Sequence, residues 1–212
     1  MIRVVLVDDH ALVRAGFSMI IGAEPDMEVV GEADTGEAGL QLVRKLEPDV
    51  LLCDLHLPGV SGLEVTERLA KSGSRTRVII VSVQEDGPMP KRLLSVGASG
   101  YLGKGGDASE LIRAIRDVAS GRRFLGGDVA QRLALGQIDG RQSPFDQLTP
   151  RELEVALMLC QGRRTEDMAK RLSLSPKTIS THKYRVYDKL GLRDPVALAR
   201  LAAQYGLVQA SA

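Results

Sequence analysis

Asp54 stands where an apolar run ends and a turn begins, in Val50-Leu51-Leu52-Cys53-Asp54-Leu55-His56-Leu57-Pro58-Gly59. A second apolar run, Val4-Val5-Leu6-Val7, ends the same way in Asp8-Asp9. Parallel pairing of the two runs gathers three carboxylates at one sheet edge, with Asp54 presented there rather than buried. Neighbouring carboxylates repel, so either one takes up a proton or a cation joins them. Magnesium suits such a set, being hard, octahedral and content with few carboxylates plus water and phosphate oxygens. With that charge neutralised, Asp54 can attack a phosphoryl group as a nucleophile and become an acyl phosphate. Lys104 would pair with the dianion, and the Ser82 hydroxyl would donate to it. His10 and His56 flank acids, but their spacing fits no zinc template, and both are read as non-ligating side chains.

The elements that must position these groups alternate. Arg3 to Val7, Met27 to Ala33, Val50 to Cys53, Arg77 to Val83 and Gly100 to Leu102 have strand character. Ala11 to Ile21, Gly36 to Leu46, Gly62 to Lys71, Pro88 to Val96 and Asp107 to Ser120 carry apolar residues at helical spacing. Five repeats of strand then helix, joined by short connections, predict an α/β domain: a five-stranded parallel, doubly wound sheet with helices on both faces. Such sheets bind ligands at the carboxyl ends of their strands, where Asp8, Asp9, Asp54, Ser82 and Lys104 all fall.

After Gly121 the pattern breaks. Glycines at 126, 127, 136 and 140 interrupt one short helical stretch, Val129 to Leu135, and residues 122–144 read as a linker between a first domain at 1–121 and a second at 145–212. The second domain is all helical in pattern. Thr149-Pro150-Arg151-Glu152 is a capping box with Pro at the first helical position. Thr165 can cap a second helix, Ser175-Pro176 caps a third that ends at Gly191, and a fourth follows Asp194-Pro195.

The bulk numbers agree with two domains. At 212 residues with 44% apolar residues, the chain can bury two modest cores. The net charge of +1 hides an asymmetry: residues 1–145 hold 17 Lys+Arg against 20 Asp+Glu, and residues 146–212 hold 11 against 7. Only the C-terminal part is suited to a polyanion. Three Phe, four Tyr and no Trp leave few aromatics for stacking single-stranded bases. Cys53 and Cys160 lie in apolar stretches and read as reduced, buried thiols. No apolar run approaches the ~20 residues needed to cross a bilayer, so a soluble, cytoplasmic protein without membrane contact is expected.

The second and third C-terminal helices, with the turn Ser173-Leu174-Ser175 between them, have the lengths of a helix-turn-helix. On the third, Ile179, His182, Val186 and Leu190 fall on one side, and Lys177, Ser180, Thr181, Tyr184 and Asp188 on the other. Lys177, Lys183, Arg185 and Lys189 suit phosphates, and Ser180, Thr181 and Tyr184 suit base edges, with Thr178 at the helix start among the candidate contacts. Asp188 belongs at the rim.

Residues 1 to about 120 resemble the receiver domain of bacterial two-component response regulators. The likeness rests on Val7-Asp8-Asp9-His10, on Asp54 with Pro58-Gly59, on Ser82, and on Tyr101 three residues before Lys104. It implies that Asp54 accepts a phosphoryl group from a sensor histidine kinase, a hybrid kinase or a phosphotransfer domain. It also implies that Asp8, Asp9, Asp54 and the His56 backbone carbonyl hold Mg2+, and that Ser82 and Tyr101 form a switch pair. Leu148-Thr149-Pro150-Arg151-Glu152-Leu153-Glu154-Val155, Leu174-Ser175-Pro176-Lys177-Thr178-Ile179 and Lys189-Leu190-Gly191 resemble the four-helix DNA-binding domain of NarL/FixJ (LuxR-type) regulators. Ser143-Pro144-Phe145, Met89-Pro90 and Lys177 to Arg185 resemble the GacA/UvrY subgroup. Together the likenesses imply a transcription regulator that binds double-stranded DNA under control of phosphorylation, as a homodimer when phosphorylated. A phosphatase would instead need a second acid two residues after the nucleophile, where His56 stands, so the only chemistry expected is slow phosphorylation and dephosphorylation of Asp54 itself.

Overall fold

The computed structural model describes residues 1–83, 89–131, 143–172, 174–205 and 207, in two compact units. The N-terminal unit alternates strand and helix: β1 (Ile2–Val7), α1 (Ala11–Gly22), β2 (Met27–Ala33), α2 (Gly36–Leu46), β3 (Val50–Asp54), α3 (Gly62–Lys71), β4 (Arg77–Ser82), α4 (Met89–Ser95), β5 (Gly100–Gly103) and α5 (Ala108–Ala119). Every strand pair is parallel, in the order β2-β1-β3-β4-β5 with one further strand beyond β5. Chain direction across the sheet reverses between β1 and β3, where crossovers leave a crevice at the carboxyl ends. Val7 pairs with Cys53 there, so Asp8 and Asp54 emerge side by side.

Both faces of the sheet are buried, as covering helices require. Val4, Leu6, Leu52, Ile79 and Val81 pack with Ile112, Ile115 and Val118 of α5. The alternate residues Val5, Val7, Leu51, Cys53 and Ile80 are equally buried. Gly39 allows α2 its close approach, since a Cβ there would meet Val7 Cγ2 at 2.6 Å.

Among the described residues the sheet has six strands, not five. Phe124–Leu125 forms β6, pairing with Gly100 and Tyr101 of β5, inside the stretch that the sequence assigns to the linker. Two residues carry no periodicity to read, and this strand exists because β5 offers an open edge. Arg113 lies over the Phe124 ring at 5.1 Å, and Gly126 N donates to the Tyr101 carbonyl at 2.9 Å. Residues 127–131 are helical. The rest of the expected Val129–Leu135 helix, Pro88 at the start of the expected fourth helix, and the turn residue Ser173 lie outside the described residues.

The C-terminal unit contains a 3-10 turn (Pro144–Gln147), α6 (Pro150–Cys160), α7 (Thr165–Arg171), α8 (Pro176–Leu190) and α9 (Pro195–Gln204). The capping box is formed: Thr149 Oγ1 accepts from Glu152 N at 3.3 Å, and Glu152 Oε2 accepts from Thr149 N at 2.8 Å. Ser175 caps α8, Asp194 caps α9, and Gly191 closes α8 with φ 65°, the left-handed geometry that glycine adopts without strain. The expected cap at Thr165 shifts by one. Arg164 occupies the cap without a side-chain bond and Thr165 is the first helical residue, because burying Met168 and Ala169 against Val155 and Ile179 sets the helix phase over local cap preference. Phe145 meets Tyr205 edge-on, with ring centroids 6.4 Å apart. Among the described residues, no helix is long and apolar enough to cross a membrane.

Candidate functional site

Three strands deliver the acidic crevice. Asp8 follows β1, Asp54 ends β3, and Lys104 follows β5 with its amide donating to the Ser82 carbonyl of β4 at 2.8 Å. The Lys104 ammonium lies 2.7 Å from Asp8 Oδ2 and 2.9 Å from Asp54 Oδ2. It bridges the two carboxylates. Burial pulls the Lys104 pKa down, but the hydrogen bonds and charges of Asp8 and Asp54 outweigh it and hold the ammonium above its ordinary value.

Asp54 is not presented as the sequence suggests: only 5% of it is exposed, against 3% for Asp8. A buried carboxylate needs a counter-charge, and Lys104 arrives from a strand fifty residues later in the chain to supply it. The His56 amide reaches Asp54 Oδ1 at 3.4 Å. Gly62, at the start of α3, donates to the Leu55 carbonyl at 3.0 Å, and a Cβ there would lie 2.2 Å from the Asp54 carbonyl oxygen. Helix α3 thus sits directly on the backbone that carries Asp54.

Asp9 stands at the mouth. Its Oδ1 is 2.8 Å from His10 Nδ1, which also lies 3.2 Å from Asp8 Oδ1. Asp8, Asp9, His10 and Asp54 offer ligand atoms within 4.8 Å of one another. Sequence reading leaves His10 out of the cluster; its place directly after Asp8-Asp9 was the available signal. Three carboxylates with one nearby ammonium form the hard, net negative oxygen set that Mg2+ prefers, so the residues fit that ion. Ser82 and Tyr101 are both 0% exposed, on adjacent strands, with Tyr101 in register with Ile80. Cys53 is inert: burial, then the charges of Asp54 and Asp8, push its thiol well above the usual range. Cys160 is only partly buried, contrary to expectation, and burial raises its thiol to about 11.

The other candidate surface is α8. Ile179 and Val186 are 0% exposed and lock one side into the domain. Burial, followed by the nearby Arg151 charge, lowers the His182 pKa, as its packing position on the helical wheel suggests. Lys177, Thr181, Tyr184, Arg185 and Asp188 are exposed, while Thr178, Ser180 and Lys183 are intermediate. The hydroxyls are partly committed. Thr178 Oγ1 shares a hydrogen bond with Ser175 Oγ at 2.8 Å, and Ser180 and Thr181 donate to the Pro176 and Lys177 carbonyls at 3.0 Å each, leaving their lone pairs to accept. Lys183 Nζ lies 5.8 Å from the Tyr187 ring centroid. Lys189, expected to meet phosphate, is exposed and also makes an ion pair: its ammonium is 2.6 Å from the buried Glu152 carboxylate.

Residues 4–116 match the family described as "Response regulator receiver domain", and residues 146–202 match "Bacterial regulatory proteins, luxR family". The chain is 43% identical over 213 residues to "Response regulator GacA" of Pseudomonas aeruginosa, covering all of both chains. It is 41% identical over 212 residues to "Response regulator UvrY" of Escherichia coli K12, covering 99% of this chain and 97% of that one. Among solved structures, RcsB from Salmonella enterica serovar Typhimurium, bound to promoter P1flhDC in the presence of phosphomimetic BeF3−, is similar with a TM-score of 0.71. Its identity is 25%, over 96% of this chain and 98% of that one.

Proposed function

Because the chain belongs to the two-component response regulators that join a receiver to a LuxR-type DNA-binding domain, we propose that Asp54 is the phosphoacceptor through which its control of transcription is exercised. The observation that carries this reading is the Lys104 ammonium bridging Asp8 and Asp54 where β1 and β3 end. A carboxylate oxygen of Asp54 attacks the phosphorus of a phosphohistidine on the sensor kinase or a phosphotransfer domain. The P–N bond breaks, the imidazole nitrogen keeps the electron pair and takes a proton, and an acyl phosphate forms on Asp54. Asp8, Asp9, Asp54 and the His56 carbonyl would hold Mg2+, which when bound offsets the charge on the phosphoryl oxygens. Lys104 exchanges its bond to Asp54 for one to the phosphoryl group. Ser82 donates its hydroxyl to a phosphoryl oxygen, and Tyr101 follows into the space released, changing the surface of β4 and β5. In this scheme the receiver, expected to end at residue 121, extends through β6 at 124–125, and 145–212 form the DNA-binding domain.

The exposed face of α8 then reads double-stranded DNA, with two copies binding two-fold related half-sites through a dimer contact on α9. RcsB, whose structure is described as bound to a promoter, supports that role. Lys177→Ala and Lys183→Ala are expected to weaken binding to all duplexes and to reduce the salt slope by about one each. Thr181→Ala and Tyr184→Ala should relax sequence preference, costing roughly 1–3 kcal/mol on the preferred duplex alone. Fluorescence anisotropy on preferred and random duplexes across salt concentrations separates the two patterns. Equal losses on both duplexes for all four variants would refute the base-reading assignment.

A further inference from the structure

The last turn of α8 is tied to the segment by which the chain reaches the domain. Gln147 Nε2 donates to the Lys189 carbonyl at 2.6 Å. Lys189 Nζ returns to the Gln147 carbonyl at 3.3 Å and to Glu152 Oε2 at 2.6 Å. The same Glu152 oxygen accepts from Thr149 N at 2.8 Å. The four residues close a ring in which the Gln147 carbonyl is answered by Lys189 of α8 and the Thr149 amide by Glu152 of α6.

The ring does more than cap. An α-helix leaves its last four carbonyls without intrahelical partners, and in α8 the Gly191 and Leu192 amides answer Asp188 and Tyr187. The carbonyl of Lys189 is answered by Gln147, forty-two residues earlier. Burial favours the neutral Glu152, but the bonds from Lys189 and Thr149 outweigh it and hold the carboxyl below its ordinary pKa. Residues 143–149 are also the route by which the chain arrives from the receiver side.

We propose that Gln147 is a positioning residue for DNA recognition: its side chain welds the incoming segment to the C-terminal end of the reading helix, so that a displacement of that segment is delivered to α8. This rests on the assignment of α8 as the reading helix. Gln147→Met keeps length and shape while removing the donor, and Gln147→His restores an N–H at about the same reach. The test uses the full chain with beryllofluoride and Mg2+, and a duplex selected from a random pool by the unaltered protein. Gln147→Met is expected to lose roughly tenfold in affinity for the selected duplex, the scale of one unmade hydrogen bond to a carbonyl. Its affinity for a random duplex should stay put, its thermal midpoint should fall by no more than a few degrees, and Gln147→His should recover most of the loss. Equal losses on both duplexes, no loss, or no recovery with histidine would overturn the proposal. Amide exchange without DNA reads the weld independently of what α8 recognises. Faster exchange at 187–192 in the Met variant is expected, and unchanged rates would overturn the weld even if α8 reads DNA as assigned.

Discussion

Asp54→Asn takes no phosphoryl label from acetyl phosphate or from a sensor kinase, and its DNA binding no longer responds to either. The carboxamide preserves size and one oxygen, so β3 is retained, with Cys53 paired to Val7 and residue 54 paired to Val81, but a neutral amide is a far weaker nucleophile than a carboxylate. Lys104 keeps Asp8 at 2.7 Å, which leaves its charge answered and makes a folding defect an unsuitable explanation for lost labelling. Label retained above background, on mass-spectrometric mapping to Asp8 or Asp9, would move the acceptor to another acid of the crevice. Circular dichroism of the variant, expected to match the parent, completes the experiment.

Lys104→Met should be the most destabilising single change at the site. It leaves Asp8 and Asp54, whose side chains are each 5% exposed, facing one another without a counter-charge, and removing one partner of a buried ion pair costs about 3–5 kcal/mol. Urea denaturation without metal should show that loss, and millimolar Mg2+ should restore part of it, since a cation binding the folded form alone stabilises by mass action. In the unaltered protein the Lys104 pKa is raised on folding. Its contribution is therefore complete below the unfolded lysine value of about 10.4 and is lost as pH rises through the folded one. A variant as stable as its parent in metal-free buffer would sink this account of the crevice.

How much of this could be read from the chain differs residue by residue. Asp8, Asp9 and Asp54 were legible because each follows an apolar run, and parallel pairing puts such ends together. The caps at Thr149, Ser175 and Asp194 were legible because capping is local. What escaped reading was set by partners distant in sequence. Asp54 can stay buried because Lys104 answers its charge, and Lys189, though exposed, pairs with Glu152 2.6 Å away. A basic residue on a helical wheel shows its charge but not its counter-ion. Strand β6 has the same cause: Phe124–Leu125 is a strand only by virtue of the edge it meets.

That short strand bears on how the N-terminal unit should be cut free for study. A receiver trimmed at residue 121, where helical periodicity stops, would strip Phe124 from its place beneath Arg113 and leave the amides and carbonyls of Gly100 and Tyr101 as a bare sheet margin. Unpaired margins of that kind recruit further chains. The same domain ended beyond residue 126 carries its own edge cover and keeps the Gly126 bond to Tyr101, so the cover belongs to the receiver as a soluble particle, whatever the sequence says about where its helices end.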